Sequence, residues 1–282
     1  KYSGIVPCVD PTLYEGGKSK AQQKLARKFL EEVGVTQIGE FELVEALLKK
    51  EYSSRERVLK EREHLSHLRR FMKLVEDNRS AASLLAEYKI FMGADQKWHS
   101  AKEILLDNPF CDTGLAEYYG IVGYPRLISP LAEFYESMPI DSRKLGKFLS
   151  DLGAKTDIDI AYSSCSKNPS WDYLSGVWGE RYTSPVDRDY KFDRFNEIVS
   201  GISLRLAHLI WRTMIARGDS VLQAQYRKNV SGGSRWAASQ LVHELRKGAW
   251  VPQGDTFVRP TVARAELLPE GFVFEPGAGW IK

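Results

Sequence analysis

Ala249-Trp-Val-Pro-Gln-Gly-Asp-Thr-Phe-Val258 decides how this chain is read: two short apolar runs meet at a Pro-Gln-Gly-Asp turn. That pattern predicts a β-hairpin, because Gly and Asp accept the turn's backbone angles and the flanking apolar residues suit a pleated, half-buried surface. Ala263-Arg-Ala-Glu-Leu-Leu268 follows it. Tyr88-Lys-Ile-Phe-Met-Gly-Ala-Asp-Gln-Lys-Trp98 has the same layout and is trailed by Ala101-Lys-Glu-Ile-Leu-Leu106. A shorter echo links Lys28-Phe-Leu-Glu-Glu-Val-Gly-Val35 to Lys147-Phe-Leu-Ser-Asp-Leu-Gly-Ala154, each a helix end followed by Gly. The fold expected from these echoes is mainly α with short β-hairpins, an α+β chain of two related helical subdomains each closed by a hairpin.

Working outward, the Gly- and Pro-containing residues 1–17 read as an extended entry segment. A first helical subdomain is expected over 18–110 with its hairpin at 88–99, a helical connector over 111–146, and a second helical subdomain over 147–272 with its hairpin at 249–258. Residues 273–282 read as the start of a truncated further unit, and the ends give the chain the look of a piece of a longer protein.

The 3.6-residue period places Leu25, Phe29 and Val33 on one face of a helix over 19–33, and Phe41, Val44 and Leu48 on another over 39–50. A long helix is predicted over 55–77 with Val58, Leu65, Leu68, Met72 and Val75 as its apolar stripe. Leu204, Ala207, Trp211, Met214 and Ile215 are expected inward on a helix over 203–217. Ser234 is expected to cap a helix running to Lys247, closed by Gly248. Trp98, Trp211, Trp236 and Trp250 are expected as core anchors.

Composition excludes several classes. The chain has 282 residues, 43% hydrophobic and 27% charged, so it can bury a core and is not disordered throughout. No apolar run approaches the roughly 18 residues of a membrane-spanning helix, and no membrane partner is expected. Cys8, Cys111 and Cys165 are odd in number and widely spaced, which argues against a disulfide framework and points to a reducing, cytoplasmic setting. The formal net charge of +3 implies no nucleic acid by itself, but residues 201–250 hold eight basic and two acidic side chains.

Catalytic signals are sparse. Glu61, His64 and His67 share a helical spacing but lack the second Glu-x-x-His pair that a carboxylate-bridged metal site needs, so they read as a solvated face and no metal is expected. There is no Gly-x-Ser-x-Gly elbow, no Gly-x4-Gly-Lys-Ser/Thr loop and no base beside Cys165 in sequence. Ser231-Gly-Gly-Ser234 could greet a phosphate at a helix start, but capping is the simpler role. What remains is the basic set Arg205, Arg212, Arg227, Lys228 and Arg235, interleaved with Trp211, Tyr226 and Trp236, the pairing of cations and aromatics that a nucleic-acid groove uses. An ordinary charged surface over buried aromatics is the alternative.

Several phrases then carry a family resemblance: Leu209-Ile-Trp-Arg-Thr-Met214, Ser239-Gln-Leu-Val-His-Glu-Leu-Arg246, Trp250-Val-Pro-Gln253, Phe257-Val-Arg-Pro260 and Leu267-Leu-Pro-Glu-Gly-Phe272. Gly179-Glu-Arg-Tyr-Thr183 and Asn108-Pro-Phe-Cys-Asp-Thr-Gly-Leu-Ala-Glu-Tyr118 belong to the same pattern. Together, over nearly the whole chain, they resemble the middle region of large bacterial sacsin-like ATP-binding proteins. The resemblance implies a histidine-kinase/gyrase-type ATPase domain upstream, a NO VEIN-like domain downstream, and a place in restriction or phage defence. It implies ATP and Mg for the parent and no cofactor in this fragment. Asp112-Thr-Gly114-Leu-Ala116 has Ala where the ATPase turn needs its second Gly, and Glu103 and Asn108 are spaced wrongly for the metal-binding helix. No catalytic residue of the family is therefore carried over.

The expected function is a non-catalytic connector and recognition region, with the remaining domains of the parent chain as partners and DNA as a further one. A chaperone-like scaffold for clients is the first alternative. The second is a hydrolase built on His99, His208 or His243 with a carboxylate or Cys165.

Overall fold

The structure is a computed structural model that describes residues 19–34, 39–56, 58–123, 126–176, 185–228, 233–270, 272 and 279. The entry segment expected at 1–17, the phrase at 179–183, and all but Gly279 of the unit expected at 273–282 lie outside the described residues. In chain order the elements are helices α1 (Lys20–Glu32), α2 (Glu40–Glu51), α3 (Glu61–Asp77) and α4 (Ala81–Leu85), strands β1 (Phe91–Met92) and β2 (Trp98–His99), and helices α5 (Leu115–Val122), α6 (Ala132–Glu136) and α7 (Ser142–Asp151). Strand β3 (Ala161–Ser163), helix α8 (Trp171–Ser175), strand β4 (Val186–Lys191), and helices α9 (Phe195–Ser200) and α10 (Leu204–Arg217) follow. Strands β5 (Gln223–Arg227) and β6 (Arg235–Ala238), helix α11 (Gln240–Lys247), and strands β7 (Val251–Gln253) and β8 (Thr256–Val258) complete the order. The fold is mixed α and β, with small antiparallel sheets.

Two compact units form, one within Lys1–Phe110 and Ile128–Lys155, the other within Cys111–Leu127 and Thr156–Lys282. The segment 111–146, read from sequence as one connector, is thus shared: its first part folds with the second unit and its remainder with the first.

In the first unit, Val44, Leu47 and Leu48 of α2 and Leu68, Phe71 and Leu74 of α3 are buried together with Phe91 and Trp98 of the β1–β2 hairpin. Tyr52 is fully buried, and its hydroxyl meets Nδ1 of His64 at 3.0 Å and Nδ1 of His67 at 2.9 Å. His64 is itself buried and packs edge-on against Trp98, 4.8 Å between ring centroids. It belongs to the core, not to the solvated face expected. The long helix begins at Glu61, not 55, and Val58 is fully exposed. The reason is tertiary: the Arg55 carbonyl accepts the Trp98 amide, and the Arg55 guanidinium reaches Nδ1 of His99 at 2.9 Å and the Glu103 carboxylate. Those contacts hold the chain around Arg55 out of a helix despite its periodicity. Helix α1 forms where expected, but Leu25, Phe29 and Val33 stay exposed.

In the second unit, α10 buries Leu206, Ala207, Leu209, Ile210 and Met214, while Leu204 and Ile215 are exposed. The buried stripe is therefore rotated from the one expected. Trp250 is fully buried with its indole N–H donated to the Leu245 carbonyl at 2.9 Å, whereas Trp211 is half-buried. The β7–β8 hairpin pairs Val251 with Val258. Ser234 caps no helix: 235–238 form β6, and Ser239 caps α11 by accepting the Val242 amide at 3.3 Å. Pairing with β5 decides this, because Gln223 through Tyr226 supply a complete antiparallel partner to 235–238. The four-stranded sheet β3-β4-β5-β6, antiparallel throughout, is the feature that sequence reading missed.

Candidate nucleic-acid interface

Strand β4 reads Val186-Asp-Arg-Asp-Tyr-Lys191, and the period of two in a strand sorts these charges. Asp187 and Asp189 share one face; Arg188 points to the other. Cross-strand partners share a face, so the register Arg188–Gln225–Trp236 is one row on the face of Arg188. On the same face Val186 and Arg227 form the row to one flank of it, and Tyr162 with the buried Tyr190 the row to the other flank.

The face of the aspartates is closed over Asp189 and Ala224, while Asp187 at its margin is exposed. Leu174 of α8, Cys165 and Ala224 form a buried cluster, with Trp171, Tyr226 and Ala237 packed against it. Asp187 accepts from the Ser164 hydroxyl at 2.7 Å and the Cys165 amide at 2.6 Å. Burial works against its charge, but these hydrogen bonds outweigh it and hold the carboxyl below its ordinary range. Asp189 is fully buried and accepts from the Gln240 amide at 2.9 Å, the Tyr190 amide at 2.8 Å and the Asn168 side chain at 2.8 Å. Nearby Glu244 is pushed up by burial, although Gln240 donates to it.

The opposite face is open. Tyr162 is 76% exposed and Trp236 is 46% exposed, so Trp236 is a surface aromatic and not the core anchor expected. The cause is strand parity: Ala237, its neighbour, takes the buried side. Arg188 donates to Oε1 of Gln225 at 2.8 Å, and Nε2 of Gln225 donates to the Ser234 hydroxyl at 2.9 Å, a polar chain from β4 across β5 to the residue before β6. The Nε of Arg227 is shielded from water and meets no acceptor among the described residues.

The five basic residues expected to act together are separated by these contacts. Arg227 stands on the open face, and Lys228 is exposed just past the end of β5. Arg235 belongs to the closed side, where its guanidinium donates to the Tyr173 carbonyl at 2.6 Å and lies 5.5 Å from the Tyr173 ring centroid. Gly176 makes room for it, since a Cβ there would come within 2.2 Å of the guanidinium. On α10, Arg205 lies 3.4 Å from Asp112, and Arg212 reaches the Thr156 carbonyl at 3.4 Å. Sequence reading missed Arg188 and Tyr162. The alternation of β4 was the signal available for Arg188.

The hydrolase alternative finds little geometry. Cys165 is buried, donates to the carbonyls of Arg188 and Gln225, and has its thiol pushed up to about 12 by burial, which keeps it protonated and unreactive. His99 sits between Asp95, at 2.8 Å from Nε2, and Arg55, in the other unit. His208 packs against Phe272 and His243 lies on α11; burial lowers the pKa of both. Among the described residues no group of three His, Cys, Asp or Glu side chains is placed to hold a metal ion, and no helix is long and apolar enough to cross a membrane.

The residues do not fit the nucleotide turn of the ATPase type. Gly114 has φ of +80°, and a Cβ on it would meet the Arg205 backbone at 3.2 Å, so the turn serves the packing of α5 on α10. The Glu103 carboxylate is taken by Arg55 and by the amide and hydroxyl of Ser100.

No protein-family model, curated protein or solved structure matches this chain.

Proposed function

We propose that this chain is a non-catalytic connector and recognition region of a sacsin-like ATP-binding protein, and that its second unit contacts nucleic acid within a bacterial defence system. In this reading the two units are related helical subdomains, each closed by its hairpin, in a cytoplasmic protein whose ATP and Mg chemistry belongs to domains outside the chain. One observation carries the nucleic-acid part: β4 turns both aspartates to the face opposite Arg188, Asp189 buried and Asp187 held by Ser164 and Cys165, and leaves Arg188, with Arg227 of β5, on a sheet face without a carboxylate among the described residues of its strands.

The test is fluorescence anisotropy of labelled DNA against the whole chain in a salt series. The expected result is saturable binding whose log affinity falls linearly with log salt, the mark of released counterions. Absence of binding at low salt sinks this reading. It would leave the partner-scaffold reading, which the exposed Leu25, Phe29 and Val33 of α1 favour.

A further inference from the structure

Two exposed aromatics stand on the outer strands of the open sheet face, with cations between them. Tyr162 is on β3, Trp236 is on β6, and Arg188 and Arg227 are on the two strands between. Among the described residues of these strands this face carries no carboxylate, because Asp187 and Asp189 point the other way. We infer that this face binds single-stranded nucleic acid, stacking bases on Trp236 and Tyr162 while Arg188 and Arg227 hold the backbone phosphates. The inference rests on the nucleic-acid reading above and specifies its substrate class.

Three arguments lead from the geometry to a single strand. Exposed aromatic rings facing water from a regular sheet surface are an unused apolar area, and a base is the ligand whose flat π-face matches them. In a duplex the base faces are already stacked on one another, so these rings could meet only phosphates and base edges. Spacing fits as well. Three strand intervals separate β3 from β6, about 14 Å across the sheet, which accommodates the two or three bases that a four-stranded sheet typically stacks.

The cations are prepared for phosphate. Arg188 is held by a neutral partner, Gln225, which Ser234 holds in turn, so among the described residues the guanidinium is positioned without losing its charge to a carboxylate. Arg227 is partly exposed with its Nε buried, so only its terminal guanidinium nitrogens are offered to a phosphate. Arg235 differs: its contacts with Tyr173 hold it on the closed side. It is therefore outside the site, although it lies on the same strand as Trp236.

The test uses the whole chain and three labelled probes of about twelve nucleotides: oligothymidylate, oligouridylate and a DNA duplex, titrated between about 50 and 200 mM salt. Both single strands are expected to bind at least about tenfold more tightly than the duplex, and the ratio between them tells DNA from RNA as the natural source. Trp236→Ala and Tyr162→Ala should each weaken single-strand binding about tenfold without changing the salt slope. Trp236→Phe should retain most of the affinity, which separates loss of stacking from loss of fold. Arg188→Gln and Arg227→Gln should each reduce the slope by about 0.7. Equal binding of duplex and single strands with no response to the aromatic substitutions overturns this inference and leaves the nucleic-acid reading standing. No binding of any probe at low salt overturns both.

Discussion

On one face of the β3–β6 sheet, exposed Asp187 is held by Ser164 and the Cys165 amide, and buried Asp189 by Asn168 and the amide that starts α11. On the other, Arg188 and Trp236 meet water, two strands apart and in one register row. The same six residues of β4 supply both surfaces. Charge type alone does not separate structure from function here. What separates them is whether the charge has all its hydrogen bonds inside the protein. The closed face is a stability feature by that criterion, and the open one is a surface with capacity left over.

Substitutions that break the contrast should differ severalfold in their effect on stability. The largest effect is expected from Asp189→Ala, which strands two backbone donors and the Asn168 amide in a buried site. We expect a loss of about 3 kcal/mol or more, read as a lower urea midpoint by circular dichroism. A loss below about 1 kcal/mol would mean that the closed face is not held by this carboxylate.

Glu244→Gln should act more gently and in the other direction. Burial raises the carboxyl's pKa in the folded chain, so its favourable contribution is complete below the unfolded carboxyl range near pH 4.3 and is lost as pH rises through the folded value. The glutamine variant has no charge to bury. Its midpoint should match wild type near pH 4 and exceed it at pH 7, by about 0.5 kcal/mol after screening by solvent. An unchanged difference between wild type and variant across that range would refute the burial account.

The smallest stability change should come from the open face. Trp236→Ala and Tyr162→Ala should alter thermal or urea midpoints by no more than about 0.5 kcal/mol, because both side chains are exposed. A larger loss would show that these rings are packed, and would sharpen the comparison against the stacking role.

Both hairpins were legible from sequence because every signal is local: apolar residues beside a Gly/Asp turn of a few residues. Helix α2 was legible for the same reason, carrying its periodic stripe within one segment. The β3–β6 sheet was not. Its strands are three to six residues long and are separated by segments that contain α8, α9 and α10, so no window of sequence contains a pair and its turn until β5–β6. The candidate site inherits that difficulty. Arg227 and Trp236 were visible as residue types, but Tyr162 joins them only through the register Tyr162–Tyr190. Arg205 and Arg212, attractive by helical spacing, are engaged with Asp112 and Thr156.

Sequence by itself therefore determined the local elements: which stretches can be helical, where the two tight hairpins turn, and that the chain has apolar surface enough to bury a core. Only the tertiary structure decided that the chain around Arg55 leaves the helix to reach Trp98 and His99, that 235–238 become a strand, and that Trp236 faces water. The physical reason is one of range. Propensity and periodicity act within about a turn or a strand and are worth fractions of a kcal/mol per residue. Pairing and burial between distant segments are worth several, so they choose which face of an element is buried.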